Sequence, residues 1–281
     1  MKPFDTPLAI FLAALLAAIG FSPAAAQVVG VTAALRNEVR MTSAADSRMH
    51  EARLKERVAL GNDIATGKAS MAQLLLLDRT SFSVGSSARV RIDRFVYDPR
   101  QKASSMTGSV AKGAFRFMSG SALRRGKEKS SVRTPVATIG IRGTIFEGVV
   151  GEEAVRIARR EGLIGPNDAV DPEGATLVVL RGPGSGAEGG MQTGAIDVTA
   201  NGVTVPVEQP GQAVFVARSD ENPVGPFVLR DRAVAALHSL LRAEPLPEEE
   251  EWWTSDLVTD RQFECSDTDR GGATFWCHEM Q

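Results

Sequence analysis

Thr134–Gly148 reads TPVATIGIRGTIFEG. Apolar and polar residues alternate through Val136, Thr138, Ile139 and Ile141. The chain then turns at Arg142-Gly143-Thr144 and resumes with Ile145 and Phe146. This pattern predicts a half-buried strand, broken by a glycine that lets one backbone approach another closely.

Similar signals spread outward from that stretch. Gly108–Met118 (GSVAKGAFRFM) predicts a strand pair, with Gly113 as the bend and Phe115 and Phe117 on one face. Ala72–Leu77 (AQLLLL) is a nearly continuous apolar run bounded by Asp78-Arg79, which predicts a strand covered on both faces. Thr80, Phe82 and Val84, then Val90, Ile92, Phe95 and Tyr97, continue at mostly period-two spacing until Asp98-Pro99. Val28–Glu38 opens with a short strand. Glu51–Val58 reads as a helical turn or two, with Leu54 and Val58 at i, i+4. Turn signals recur about every 8 to 12 residues, the spacing of an all-β domain.

The C-terminal half adds strands and two helices. Glu152–Leu163 is acidic first and basic later, which complements a helix dipole. Ala175–Leu180 (ATLVVL) is strand-like, and Gly182–Gly190 is a glycine-rich loop. Gly194–Val198, Val203–Val207 and Ala213–Val216 predict three more strands, with turns at Asn201-Gly202 and Pro210-Gly211. Val228–Leu241 predicts an amphipathic helix along Val234, Leu237, Leu240 and Leu241, ended by Pro245 and Pro247. An acidic tail, Glu248–Gln281, follows.

Compartment is read from the first residues. Lys2 precedes the apolar run Leu8–Phe21, and Pro23-Ala24-Ala25-Ala26 offers small residues for cleavage before Gln27. This predicts a secretory signal at residues 1–26, with an uncleaved anchor as the alternative. The mature chain of 255 residues is long enough to bury a sizeable core. Its two cysteines, Cys265 and Cys277, read as one disulfide closing a short loop in an oxidising compartment. Zinc, with His278 as a third ligand, is the competing reading, but the spacing fits no standard finger. The net charge of −2 hides an asymmetry: Arg36–Arg160 carries 24 Lys and Arg against 12 Asp and Glu, while Glu161 onward carries 7 against 21. A basic half could meet an acidic half, an anionic partner or an envelope surface. Nucleic acid fits an exported chain poorly.

Catalytic readings fail. His50, His238 and His278 lie in separate segments without a nucleophile motif, and Gly184-Ser185-Gly186 sits in a glycine-rich loop rather than a nucleophile elbow. Asn167–Asp171 with Glu173 lacks the register of an EF-hand. Gly140 and Gly143 precede a strand, not the helix a phosphate cradle needs. No enzyme, cofactor or metal is expected.

Three of these stretches, in order, carry a family resemblance. Val58–Pro99, Gly108–Gly120 and Val132–Thr144 are together similar to the periplasmic domain of the ferric-citrate regulator (FecR) family, over roughly Val28–Val150. The resemblance implies a mainly β fold, a twisted, solenoid-like stack of short strands, here with a few short helices and a disulfide-closed tail. It makes Asp78, Gly113, Thr134, Pro135, Arg142, Gly143 and Thr144 motif residues, read as specifying turns and close packing. Arg142 is the one expected to pair with a carboxylate of a neighbouring rung or a partner. Where relatives turn through Asp-Gly-Thr, this chain has Asp78-Arg79-Thr80, and arginine takes a positive φ less cheaply than glycine. An export signal at the start would leave no room for a cytoplasmic anti-sigma segment.

The expected organisation is a signal peptide at 1–26, a FecR-type β domain at 27–150, further β rungs at 151–227, and a helix with acidic tail at 228–281. The expected function is an exported, non-enzymatic periplasmic binding or signalling adaptor that works by protein–protein contact. A structural envelope protein holding cell-wall or surface glycan is the alternative. Trp252, Trp253 and Trp276 are the expected partner contacts, an envelope protein or cell-wall component the expected partner. The oligomeric state is left open.

Overall fold

A computed structural model of the chain describes residues 27–43, 48–125, 129–182, 194–242, 263–265 and 277–279. The expected signal peptide, most of the glycine-rich loop and Trp252, Trp253 and Trp276 lie outside the described residues. The chain divides into one compact unit ending at Glu244 and a second, Pro245–Gln281.

In chain order the strands of the first unit are β1 (Val28–Arg36), β2 (Val39–Thr42), β3 (Met49–Glu51), β4 (Arg57–Ala59), β5 (Asp63–Thr66), β6 (Met71–Leu76), β7 (Ser81–Val84), β8 (Arg89–Asp98) and β9 (Ala103–Met118). There follow β10 (Ser130–Arg133), β11 (Thr138–Arg142), β12 (Ile145–Val150), β13 (Thr176–Gly182), β14 (Ala195–Ala200), β15 (Val203–Val207), β16 (Gln212–Val216) and β17 (Val224–Val228). The helices are α1 (Ser121–Arg125), α2 (Glu152–Glu161) and α3 (Asp231–Leu240).

Two layers arise from the pairing. Layer A runs β4-β1-β6-β7-β9-β12-β13-β16-β17. Layer B runs β3-β2-β5-β8-β9-β10-β11-β14-β15. The long strand β9 belongs to both. Its first part pairs with β8 and β10 in layer B; from Gly113 onward it pairs with β12, joined by β7, in layer A. Gly113 makes the transfer at φ +81°, and a Cβ there would stand 2.3 Å from the Ala88 Cα. Only glycine fits that bend. The fold is mainly β, and neither layer closes on itself. A solenoid-like stack is not shown: every pairing is antiparallel except β9 with β10.

The main core lies between the layers. Strand alternation sends Leu74 and Leu76 of β6, Phe82 of β7, Phe115 and Phe117 of β9, Phe146 of β12 and Ile139 of β11 into it. Phe115 and Phe117 each pack against Phe82 and Phe146, with ring centroids 5.4–6.1 Å apart. Burying each such ring stabilises the fold by roughly 1.5–3 kcal/mol. A second core covers part of the other face of layer A. There Ala154, Val155, Ile157 and Ala158 of α2 and Ala233 and Leu237 of α3 pack on Val149, Leu177, Val179 and Phe215. α2 carries Glu152 and Glu153 in its first turn and Arg159 and Arg160 in its last, and Gly162 closes it in the left-handed conformation. Glu161 binds Arg230 at the head of α3, at 3.1 Å. The end of α3 meets the turn after β7, with the Ser86 amide donating to the Leu240 carbonyl at 2.8 Å.

Three expectations are corrected. Glu51–Val58 forms no helix: β3 ends at Glu51, β4 begins at Arg57, Val58 is in the core and Leu54 is 58% exposed. Pairing of β4 with β1 outweighs a weak i, i+4 coincidence. Ala72–Leu77 is covered on one face only, since Leu75 and Leu77 are 41% and 54% exposed. The Asp78-Arg79-Thr80 turn keeps the backbone that glycine would favour, with Arg79 at φ +66°. Asp78 holds it there: its carboxylate accepts from the Thr80 amide and hydroxyl, both at 2.9 Å, and from the Ser104 hydroxyl.

In the second unit, β18 (Phe263–Cys265) and β19 (Cys277–Glu279) pair antiparallel, with Cys265 directly opposite Cys277. No disulfide bond is shown between them.

Candidate interaction face

The outer face of layer A is half roofed. α2 and α3 cover it over β12, β13 and β16, and α3 reaches the turn after β7, while Leu75 of β6 and Leu77 just beyond it stand exposed. One register row crosses the bare half: Val31 of β1, Leu75 of β6, Ser81 of β7, Met118 of β9 and Ile145 of β12. Leu75 and Met118 are 41% and 36% exposed, and buried Ser81 between them is short, which leaves a shallow apolar trough. Leu77 and Val28, also exposed, extend it. Exposed apolar side chains gathered on one sheet face are the kind of surface a partner can cover.

A polar seam separates the bare half from the roof. The next row places Gln73, Ser83, Arg116 and Glu147 side by side on β6, β7, β9 and β12. The Glu147 side chain is 2% exposed. Its Oε1 accepts from Arg116 Nε at 2.8 Å and Nη2 at 2.6 Å. Its Oε2 is buried without a hydrogen bond, 3.5 Å from Arg181 Nε and 3.4 Å from His238 Nε2. Arg181 Nη2 lies 2.9 Å from that same His238 nitrogen. A guanidinium only donates, so Nε2 accepts and the imidazole is neutral. Burial lowers the His238 pKa below 6.5, Glu147 pulls it up, and Arg181, Arg116 and Arg242 push it down. The seam thus ties β9, β12 and β13 to α3 through one buried carboxylate, and the histidine reading of separate, unconnected residues had missed it. What signalled it in the sequence is a lone glutamate inside the apolar strand IFEGVV.

Open sheet edges, the other way to add a partner strand, are blunted. β15 carries Pro206 and β17 carries Pro226, while β3 and β4 are three residues long. Proline and shortness are the usual guards against edge pairing. The faces are what the fold leaves for contact.

The motif residues lie in two places. Asp78 and Thr144 are buried and Gly113 half-buried: the Thr144 amide donates to Ser119 Oγ at 3.1 Å and its hydroxyl to the Gly182 carbonyl at 3.0 Å. Thr134 and Pro135 form the β10–β11 turn, where Thr134 Oγ1 accepts from the Ala137 amide at 3.1 Å and from Thr176 Oγ1 at 2.9 Å. Gly143 turns at φ +64°, and a Cβ there would stand 2.7 Å from the Arg124 Cγ. Arg142 reaches Asp197 of β14 at 2.9 Å and Glu208 at 3.4 Å, with its side chain half exposed. Such a pair stabilises by about 0–1 kcal/mol. Asp168 and Asp171 cap their own loop, accepting from the amides of Gly165, Glu173 and Gly174. Among the described residues no group of His, Cys, Asp and Glu gathers as a metal site, and no helix is long and apolar enough to cross a membrane.

No curated protein matches the chain. Two crystal structures from Parabacteroides distasonis ATCC 8503, both provisionally named anti-sigma factors, are similar to it. One is 15% identical with a TM-score of 0.35, covering 58% of this chain and 57% of that one. The other is 13% identical with a TM-score of 0.37, covering 62% and 63%. The chain spans less than two thirds of either, and likeness at that level adds nothing to the reading of function. The family model "FecR protein" matches residues 62–164, from the turn before β5 to just past α2. That span holds the β9 crossing, the bare β6–β7 face and Glu147. The similarity to the FecR family rests on residues 62–164.

Proposed function

We propose that this protein is an exported, non-catalytic adaptor of the cell envelope, and that it works by protein–protein contact through the bare half of layer A. One observation carries the reading. β6 and the residue after it have the nearly continuous apolar sequence of a strand buried on both faces, yet the described residues leave Leu75 and Leu77, on one of those faces, exposed. A partner protein with an apolar surface would cover the other. The FecR match supports a regulatory rather than a catalytic role, and the apolar leader supports export. Export would allow Cys265 and Cys277 to form the disulfide that their cross-strand register favours. Trp252, Trp253 and Trp276 would add contact area from the tail.

A photo-crosslinker at position 75, with a control at exposed Val96 of β8, tests this in intact cells. One dominant adduct from position 75, lost when Leu77 is changed to Asp, is the expected result. Equal or absent adducts at both positions would sink the reading.

A further inference from the structure

The outer face of layer B differs from that of layer A in every respect. One register row crosses seven strands: Asp63 of β5, Arg91 of β8, Ser109 of β9, Arg133 of β10, Thr138 of β11, Thr199 of β14 and Thr204 of β15. The inward neighbours of these residues, among them Ile64, Val90, Val110, Val132, Ile139 and Val198, are in the core, so the row itself points outward. At about 4.8 Å per strand it runs about 29 Å. Every side chain in it is a hydroxyl, a guanidinium or the one carboxylate.

Charge on the face is uneven. Asp63 takes up two arginines, Arg91 at 2.9 Å and Arg89 at 3.2 Å. Burial would raise its pKa, but hydrogen bonds and charge from Arg91 and Arg89 outweigh this and hold it below 3.8. Ser109 donates to Asp93 at 3.3 Å, and Arg142, two outward positions along β11 from Thr138, is held by Asp197. Among the described residues exposed Arg133 has no partner, and neither has exposed Arg40 of β2. Thr199 and Thr204 share a hydrogen bond at 2.8 Å, and the exposed Thr138 hydroxyl beside Arg133 is unpaired. Among the described residues, the middle of the row therefore offers one unpaired guanidinium, Arg133, beside one unpaired hydroxyl, Thr138.

We propose that this row is a binding surface for an acidic linear polysaccharide, a chain of uronic-acid type laid across the strands. Arg133 takes a sugar carboxylate as a planar fork, Arg91 adds long-range attraction, and Thr138, Thr199 and Thr204 exchange hydrogen bonds with ring hydroxyls. An apolar anchor of the kind protein partners use is missing from the row, and the exposed hydroxyls suit sugar. The surface is separate from the apolar trough of layer A, so failure of either leaves the other standing.

Titration of the full chain with oligogalacturonate tests it, with a neutral oligosaccharide of equal length and phosphatidylglycerol vesicles as comparisons. Binding to oligogalacturonate, weaker about tenfold in Arg133→Ala and falling with salt, is expected. Thr138→Ala combined with Thr199→Ala should weaken it several-fold while leaving the salt slope unchanged, which separates hydrogen bonding from charge. Arg133→Ala should melt with the parent, and the double variant within about 0.5 kcal/mol of it, because its one lost contact is the exposed Thr199–Thr204 hydrogen bond. Binding that Arg133→Ala leaves intact would overturn the proposal. So would binding to the vesicles without oligogalacturonate, which would make this a lipid-facing surface.

Discussion

β6 and β13 look alike in sequence and end differently. AQLLLL and TLVVL are both largely apolar runs, each with one polar residue, Gln73 and Thr176, and both lie in layer A with one face on the main core. Over β13 the chain supplies its own cover, α2 and α3, and Leu177 and Val179 are fully buried. Over β6 the described residues supply no such cover, and Leu75 and Leu77 are exposed. The composition of a strand records how many of its faces are buried in use; the fold records how many are buried by the chain itself. The difference between the two is the reason to place a partner on β6.

Stability should report that contrast directly. Leu237→Ala removes a fully buried side chain from the roof and should cost about 2–4 kcal/mol. Leu75→Ala removes an exposed one and should cost less than about 0.5 kcal/mol. Urea midpoints of the two variants check this, and equal losses would mean that β6 is covered as β13 is. A smaller effect of opposite sign is expected at the end of β6. Arg79→Gly relieves a left-handed residue in a turn that Asp78 already fixes, and should stabilise by about 1 kcal/mol. A fall in thermal midpoint there would show that the arginine side chain contributes more than its backbone costs.

The seam between the halves should respond to pH. His238 has a lowered pKa in the folded chain, so the unfolded chain binds more protons around and below pH 6.5. Stability contributed by the neutral imidazole is present above 6.5 and is lost as pH falls through that value. Thermal midpoints should therefore decline on acidification through this range, and less so in His238→Gln. An unchanged slope in that variant would place the pH response elsewhere.

Much of the fold was legible in the sequence because it rests on local rules. Period-two alternation located most of the strands, the charge order of Glu152–Glu161 marked α2, and Asn201-Gly202 makes its hairpin turn with both residues at positive φ. The solenoid-like stack came from resemblance alone, and strand direction is not written in alternation. Glu147 was illegible for a different reason. Its partners Arg116, Arg181 and His238 come from β9, β13 and α3, and nothing short of the layer order brings them together. Asp78 was readable as a turn residue, yet its hold on Ser104, 26 residues on, again needed the fold. The bare face of β6 could not be seen in the run itself, since periodicity tells how a strand is used and not what covers it.

Crosslinking from position 75 in intact cells is the most direct test of the central claim. A single protein adduct at position 75, absent at position 96 and abolished by Leu77→Asp in a chain that still folds, is the result predicted. An adduct pattern indifferent to position, or none at all, would contradict a docking role for the bare half of layer A.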